Sequence, residues 1–208
     1  MNQRMKKLTE LIKKKYNNDD PGHDFAHIMR VIATCNSIGK SAGANLEILI
    51  PAALLHDVVN LPKDHPERKQ ASQKAAEEAK SILKNFDYSE NEVSQITTVI
   101  IEHSYSLGKR PSNIESAVLQ DADRLDALGA IGIMRTVTCG CRLGASYYDV
   151  GDPFAKVREL DDKRFTIDHF FVKLFKLADT FNTQDAKNEA DKRIEFMRFF
   201  LDQLAKEI

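Results

Sequence analysis

Apolar residues recur at spacings of three and four along almost the whole chain, the periodicity of amphipathic helices rather than of strands. Leu8, Leu11 and Ile12 predict a short first helix, stopped by the breaker cluster Asn17-Asn18-Asp19-Asp20-Pro21-Gly22. From Asp24 onwards, Ile28, Val31, Ile32, Cys35 and Ile38 mark one face of a second helix, which Gly39 to Asn45 closes. Asn45 suits the N-cap of a third, Leu46 to Val58, whose near-continuous apolar face predicts a central, buried position. Pro51 lies inside it and predicts a kink or a locally lost hydrogen bond.

The stretch Leu61 to Arg68 holds two prolines and reads as a loop, followed by an Ala/Lys/Glu-rich helix through Leu83. Ser89-Glu90-Asn91-Glu92 suits the start of a helix running to about His103. After a loop from Ser106 to Pro111, Ser112 or Asn113 can cap a helix through Leu125, and Gly129 and Gly132 fall in a further helix to Arg142. Residues Gly144 to Arg164 look irregular, with a strong turn at Gly151-Asp152-Pro153. Two helices close the chain, Ile167 to Ala178 and Thr183 to Ile208; on the last, Ile194, Met197, Phe200, Leu201 and Leu204 share a face. No convincing strand alternation and no internal repeat appear, so the predicted fold class is all-α.

A length of 208 residues suits one domain, or one domain with a helical appendage, and 42% hydrophobic with 29% charged residues is ordinary for a globular protein. Thirty basic residues against 31 acidic ones leave a net charge of −1, so no basic excess points to nucleic acid as a partner. Three cysteines, Cys35, Cys139 and Cys141, suggest a reduced compartment rather than a disulfide framework. Cys139 and Cys141 are two apart, a poor start for a zinc site, and read as small core residues. Met1 to Tyr16 lacks the apolar core of a signal peptide. The most apolar segment, Leu46 to Val59, is broken by Pro51 and His56-Asp57, so no membrane partner and a cytoplasmic location are expected.

Three polar clusters interrupt these apolar helices. His56-Asp57 follows Ala52-Ala53-Leu54-Leu55, where an imidazole and a carboxylate are costly unless paired or bound to a cation. His23 and His27 stand four apart at the start of the second helix, and Asp121, Asp123 and Asp126 lie in an otherwise apolar stretch. Convergence of the three on one buried site would give two imidazoles and two carboxylates, a mixed set suited to Mn²⁺, Fe²⁺, Co²⁺, Ni²⁺ or Zn²⁺. Glu102-His103 ends another apolar helix; a dipole-favoured helix-end histidine and a functional one are equally good readings there. No glycine-rich phosphate loop and no nucleophile elbow compete with a metal-based chemistry.

The ordered segments His23-Asp24-x-x-His27-x-x-Arg30-Val31, Ala53-Leu54-Leu55-His56-Asp57 and Asp121-Ala122-Asp123-Arg124-Leu125-Asp126-Ala127-Leu128-Gly129 resemble the HD superfamily of metal-dependent phosphohydrolases, in particular its stand-alone bacterial YpgQ/YedJ-like subgroup. The likeness continues through His169-Phe170-x-x-Lys173-Leu174 and Asn182-Thr183. It implies a single HD-type domain over 1–208, with a core over about 20–145 and helices over 165–208 packed on it. It also implies His27, His56, Asp57 and Asp123 as ligands of one divalent ion (Mn, Co, Ni, Fe, Zn or Mg, with Mn favoured), His23 standing behind them and Asp121 and Asp126 as alternatives to Asp123. Asp57 or Asp126 would orient the nucleophile, and His103 would act as general acid or phosphate contact. Lys63, Arg68, Arg124 and Lys173, with Arg135 as a further candidate, would hold an anionic substrate; a solvated charge is the commoner fate for any one of them. Asn60 and the lack of an acidic pair after His56-Asp57 weaken an alarmone-hydrolase reading. The implied reaction is hydrolysis of a phosphoester or phosphoanhydride by a metal-activated water. The favoured substrate is a nucleotide, with (d)NTP cleaved to (d)NMP and pyrophosphate. A phosphodiesterase and a non-catalytic nucleotide- or metal-binding regulator are the alternatives, and a homodimer is left open.

Overall fold

In the computed structural model of the chain the described residues are 3–15, 24–59, 61, 65–104 and 107–208. They form eight α-helices: α1 Gln3–Lys15, α2 Phe25–Ala42, α3 Leu46–Leu55, α4 Ala71–Leu83, α5 Glu90–Glu102, α6 Ile114–Leu125, α7 Gly129–Leu143 and α8 Gln184–Glu207. Among the described residues the sole β pairing is an isolated bridge between Ser146 and Phe165, so the chain is all-α. None of the helices is long and apolar enough to cross a membrane.

Two compact units divide the chain, Met1–Asp123 and Arg124–Ile208. In the first, α3 packs against α1, α2, α4 and α5. Ile48, Leu49, Ala52, Ala53, Leu54 and Leu55 are all buried, which accounts for its apolar character on every side. At about 1.5–3 kcal/mol for each fully buried leucine or isoleucine, this helix anchors the unit. The expected caps are present: Asn45 Oδ1 accepts from Glu47 N–H at 3.0 Å, and Ser89 and Glu92 form a reciprocal capping box. Gly43 ends α2 at φ 72°, in the left-handed region that glycine enters without steric cost. In the second unit α7 packs on α8, which buries Ala186, Ala190, Ile194, Met197 and Leu201.

Three expectations need correction. α3 stops at Leu55 rather than Val58, because His56 turns its ring back onto the helix end; the helix itself runs through Pro51 uninterrupted, short of the one N–H that proline lacks. The helix expected over 167–178 is not a regular α-helix: a π turn over Phe170–Leu174 runs into a 3₁₀ segment over Phe175–Thr180. Buried Phe170, Leu174 and Leu177 keep helical spacing, and over two turns that spacing does not separate the three helix types. Cys141 is exposed and Cys139 half-buried, not core. The buried stripe of α7 is Gly129, Gly132, Thr136 and Gly140 instead. A Cβ at Gly140 would fall 2.2 Å from Thr166 Oγ1, a gap that only glycine fits.

Candidate active site

Four helices of the first unit deliver the polar side chains to one place. Asp24 caps α2 by accepting from His27 N–H at 2.8 Å, which fixes the first turn and buries His27 completely. His56 is the C-cap of α3, and its Nδ1 lies 2.8 Å from the Ala53 carbonyl. His103 repeats the arrangement at the C-cap of α5, with Nδ1 2.6 Å from the Ile100 carbonyl. A carbonyl only accepts, so in both rings Nδ1 carries a proton and Nε2 points away from the helix. Because α3 and α5 pack together, their histidine-bearing ends meet. Asp123 comes from the last turn of α6, a helix started by Asn113, whose Oδ1 accepts from Ser116 N–H at 2.7 Å.

Within the resulting cluster the imidazole nitrogens and the carboxylate oxygens stand apart. His27 Nε2 lies 3.6 Å from Asp123 Oδ1 and 3.9 Å from Asp57 Oδ2. His56 Nε2 lies 3.7 Å from Asp57 Oδ2 and 3.9 Å from Asp123 Oδ1. The other oxygen of Asp57 is 3.8 Å from His103 Nε2. All of these exceed hydrogen-bonding distance. Among the described residues buried His56 Nε2 has no hydrogen-bond partner, an arrangement that costs free energy unless something accepts its lone pair. Two ligand atoms each about 2.1 Å from a shared cation stand about 3–4.2 Å from each other, and the observed separations fall in that window. One ligand atom each from His27, His56 and Asp57 lies within 4.8 Å of the others, a group that can hold a metal ion.

The electrostatics agree with this geometry. Burial, working against the neighbouring Asp57, holds the His56 imidazole down at about 4, so it is neutral near pH 7 and able to donate a lone pair. Burial pushes the Asp123 carboxyl up, but His56, His27 and His103 together outweigh it and the net direction is down. Nearby Cys35 goes the other way: burial, then Asp123 and Asp121, push its thiol far up, leaving it protonated and inert.

His27, His56, Asp57, Asp123 and His103 therefore come together, and His103 joins them more closely than its even standing in the sequence implied. The signal was present: His56 and His103 each follow a buried apolar helix, at matching positions on neighbouring helices. Asp121 is fully buried on α6. In the second unit, the Asp126 carboxylate accepts from Arg135 at 2.8 Å, and Arg124 donates to the Thr180 carbonyl. Arg68 donates to the Leu61 carbonyl, and Lys173 is exposed within the π turn. His169, one turn before Lys173, has Nδ1 2.7 Å from Asp162 Oδ2. Lys63, His23 and Asn60 lie outside the described residues.

Comparison with known proteins gives a consistent picture. The HD domain family profile matches residues 24–128, which span α2 to the end of the Asp121–Leu128 segment. An uncharacterized protein of Bacillus subtilis (strain 168), YpgQ, is 32% identical over 195 residues, covering 92% of this chain and 87% of that protein. An HD-superfamily hydrolase of Bacillus thuringiensis has a similar solved structure, with TM-score 0.76 and 33% identity over 99% of this chain and 96% of that one. The structure of Bacillus subtilis YpgQ in complex with ADP is also similar, with TM-score 0.73 and 32% identity over 96% of this chain and 97% of that one.

Proposed function

The chain belongs to the HD domain family and is a hydrolase of that superfamily, and on that premise we propose that it is a divalent-metal-dependent phosphohydrolase acting on a nucleotide. The favoured reaction converts a nucleoside or deoxynucleoside triphosphate to the monophosphate and pyrophosphate. One observation carries the reading: two fully buried imidazoles face two carboxylates at 3.6–3.9 Å, the spacing of ligands around a shared cation. The complex of the similar YpgQ with ADP supports a nucleotide as the class of ligand.

His27, His56, Asp57 and Asp123 are the proposed ligands of one divalent ion, Mn²⁺ by preference. Bound there, such an ion would neutralise charge on a phosphoryl oxygen and acidify the attacking water. The two oxygens of Asp57 face different neighbours, Oδ2 towards His27 and His56 and Oδ1 towards His103. That division lets one carboxylate serve the ligand set and orient the nucleophile, a role for which Asp126, engaged by Arg135, is less suited. His103, with Nδ1–H fixed on the Ile100 carbonyl, has Nε2 available to carry a proton towards a leaving phosphate or to contact it. Lys63, Arg68, Arg124 and Lys173 are proposed to hold the polyphosphate, as cations that can donate N–H groups to phosphate oxygens. We further propose that both compact units work as one HD-type domain in the cytoplasm, so calorimetry of the full chain should give a single unfolding transition.

The test is the purified protein with Mn²⁺, Co²⁺, Ni²⁺ and Mg²⁺ against nucleoside triphosphates, diphosphates and cyclic diesters. Release of pyrophosphate with the monophosphate is the expected result. Cleavage confined to diesters would replace the substrate assignment. Binding without turnover under every metal would replace catalysis with regulation.

A further inference from the structure

The loop between α5 and α6 is fastened to both helices, and one side chain stands at the junction. Gln120 is buried, and its amide donates to the Glu102 carbonyl at 2.7 Å and to the Lys109 carbonyl at 3.0 Å. The Glu102 carboxylate accepts from both the N–H and the hydroxyl of Ser112 at 3.0 Å. The Glu102 carbonyl is among the last four of α5, which no N–H of the helix can serve, and it belongs to the peptide that leads into His103. On α6, Gln120 stands three residues before Asp123, on the same face. A single amide thus ties the peptide bearing His103 to the helical turn bearing Asp123.

We infer that Gln120 is a positioning residue that acts through His103, holding its ring beside Asp57 and at a set separation from Asp123. The inference rests on the reading of His103 as the acid or phosphate contact of the reaction. The chemistry asks for glutamine in particular. Two carbonyl oxygens need two N–H donors from one short, uncharged group, which a carboxylate cannot supply and a methionine of similar length lacks. The ring of His103 is already aimed by the Ile100 carbonyl, so what Gln120 adds is the placement of its backbone.

A double-mutant cycle on the metal-loaded full chain tests this, with a nucleoside triphosphate as substrate. Gln120→Met is expected to lower kcat about tenfold or more while metal affinity holds, and to cost nothing further in the His103→Ala background. An equal loss in both backgrounds would reduce Gln120 to a general structural role and overturn the inference. Ser112→Ala, at an exposed position, loosens the same loop from its other end and should show a smaller loss with the same dependence on His103; it decides the matter if Gln120→Met does not fold. A reading independent of turnover comes from the imidazole NMR signals of the metal-free protein. Those of His103 should shift in Gln120→Met while those of His27 stay; no shift at His103 contradicts the inference even if the wild type proves inactive, an outcome that would instead remove the proposed function.

Discussion

Asp168 in the second unit and Asp57 in the first are both carboxylates largely withdrawn from solvent, and they are treated in opposite ways. Asp168, fully buried, receives a bidentate grip from Arg158 at 2.6 and 2.8 Å and the Asp161 N–H at 2.7 Å. Arg158 also donates to the Asp152 carbonyl at 2.9 Å, and the Asp152 carboxylate accepts the N–H groups of Lys156, Val157 and Arg158 at 2.8–3.0 Å. Both carboxylates there have closed on hydrogen-bond donors, Asp168 on a charged one. The cluster around Asp57 keeps its groups at 3.6–3.9 Å, with the neutral His56 offering a lone pair that no group among the described residues satisfies. Burial of charge is common to both regions and does not distinguish a site from a staple. Separation at the spacing of ligands around a shared cation does, since a bound cation would satisfy all the groups at once.

The sharpest way to break this contrast is to remove a member of the open cluster. His56→Ala is expected to lower turnover by at least about a thousandfold while the metal-free protein stays folded. Retained activity would mean that the cluster is not the catalytic centre. In the closed network the signs reverse. Asp168→Ala strands the Arg158 charge and should destabilise the protein by about 3 kcal/mol, the low end for a broken buried pair because Arg158 is partly exposed. Asp57→Asn should leave the melting temperature of the metal-free protein unchanged or raise it, since it removes one of two facing carboxylates. Thermal unfolding of the two variants in chelator separates a staple from a site; equal losses would erase the distinction.

The smallest effect is a pH dependence confined to the closed network. Three backbone N–H groups, led by that of Arg158, hold the Asp152 carboxyl down at about 2, below its ordinary 3.8. A carboxyl with a depressed folded value stabilises the fold above its unfolded value and loses that contribution as pH falls through the folded one. The stability gap between wild type and Asp152→Asn should therefore be constant above about pH 4 and close as pH falls towards 2. A gap that persisted at pH 2 would show that charge is not what Asp152 contributes.

The sequence made the open cluster more legible than the closed one, for a physical reason. His27, His56 and Asp57 interrupt long apolar periodicities, so each stands out against the helix that carries it. The caps at Asn45 and Ser89 are local and were equally readable. Arg158, Asp168 and Asp152 sit in or beside an irregular stretch with no period to interrupt, and their pairing across ten and six residues depends on how that stretch folds. The π and 3₁₀ turns after Phe170 escaped for a related reason, since two turns of apolar spacing fit several helix types. Gln120 was unreadable because its two partners are main-chain carbonyls, to which any sequence contributes alike.

The account turns on a cation completing the His27, His56, Asp57 and Asp123 cluster, and a Mn²⁺ titration of chelator-stripped protein by calorimetry asks for it directly. The prediction is one equivalent bound by the wild type, with affinity at least about a hundredfold weaker in both His56→Ala and Asp57→Asn. Undiminished binding in those two variants, or no binding by the wild type to any divalent ion tried, would contradict it.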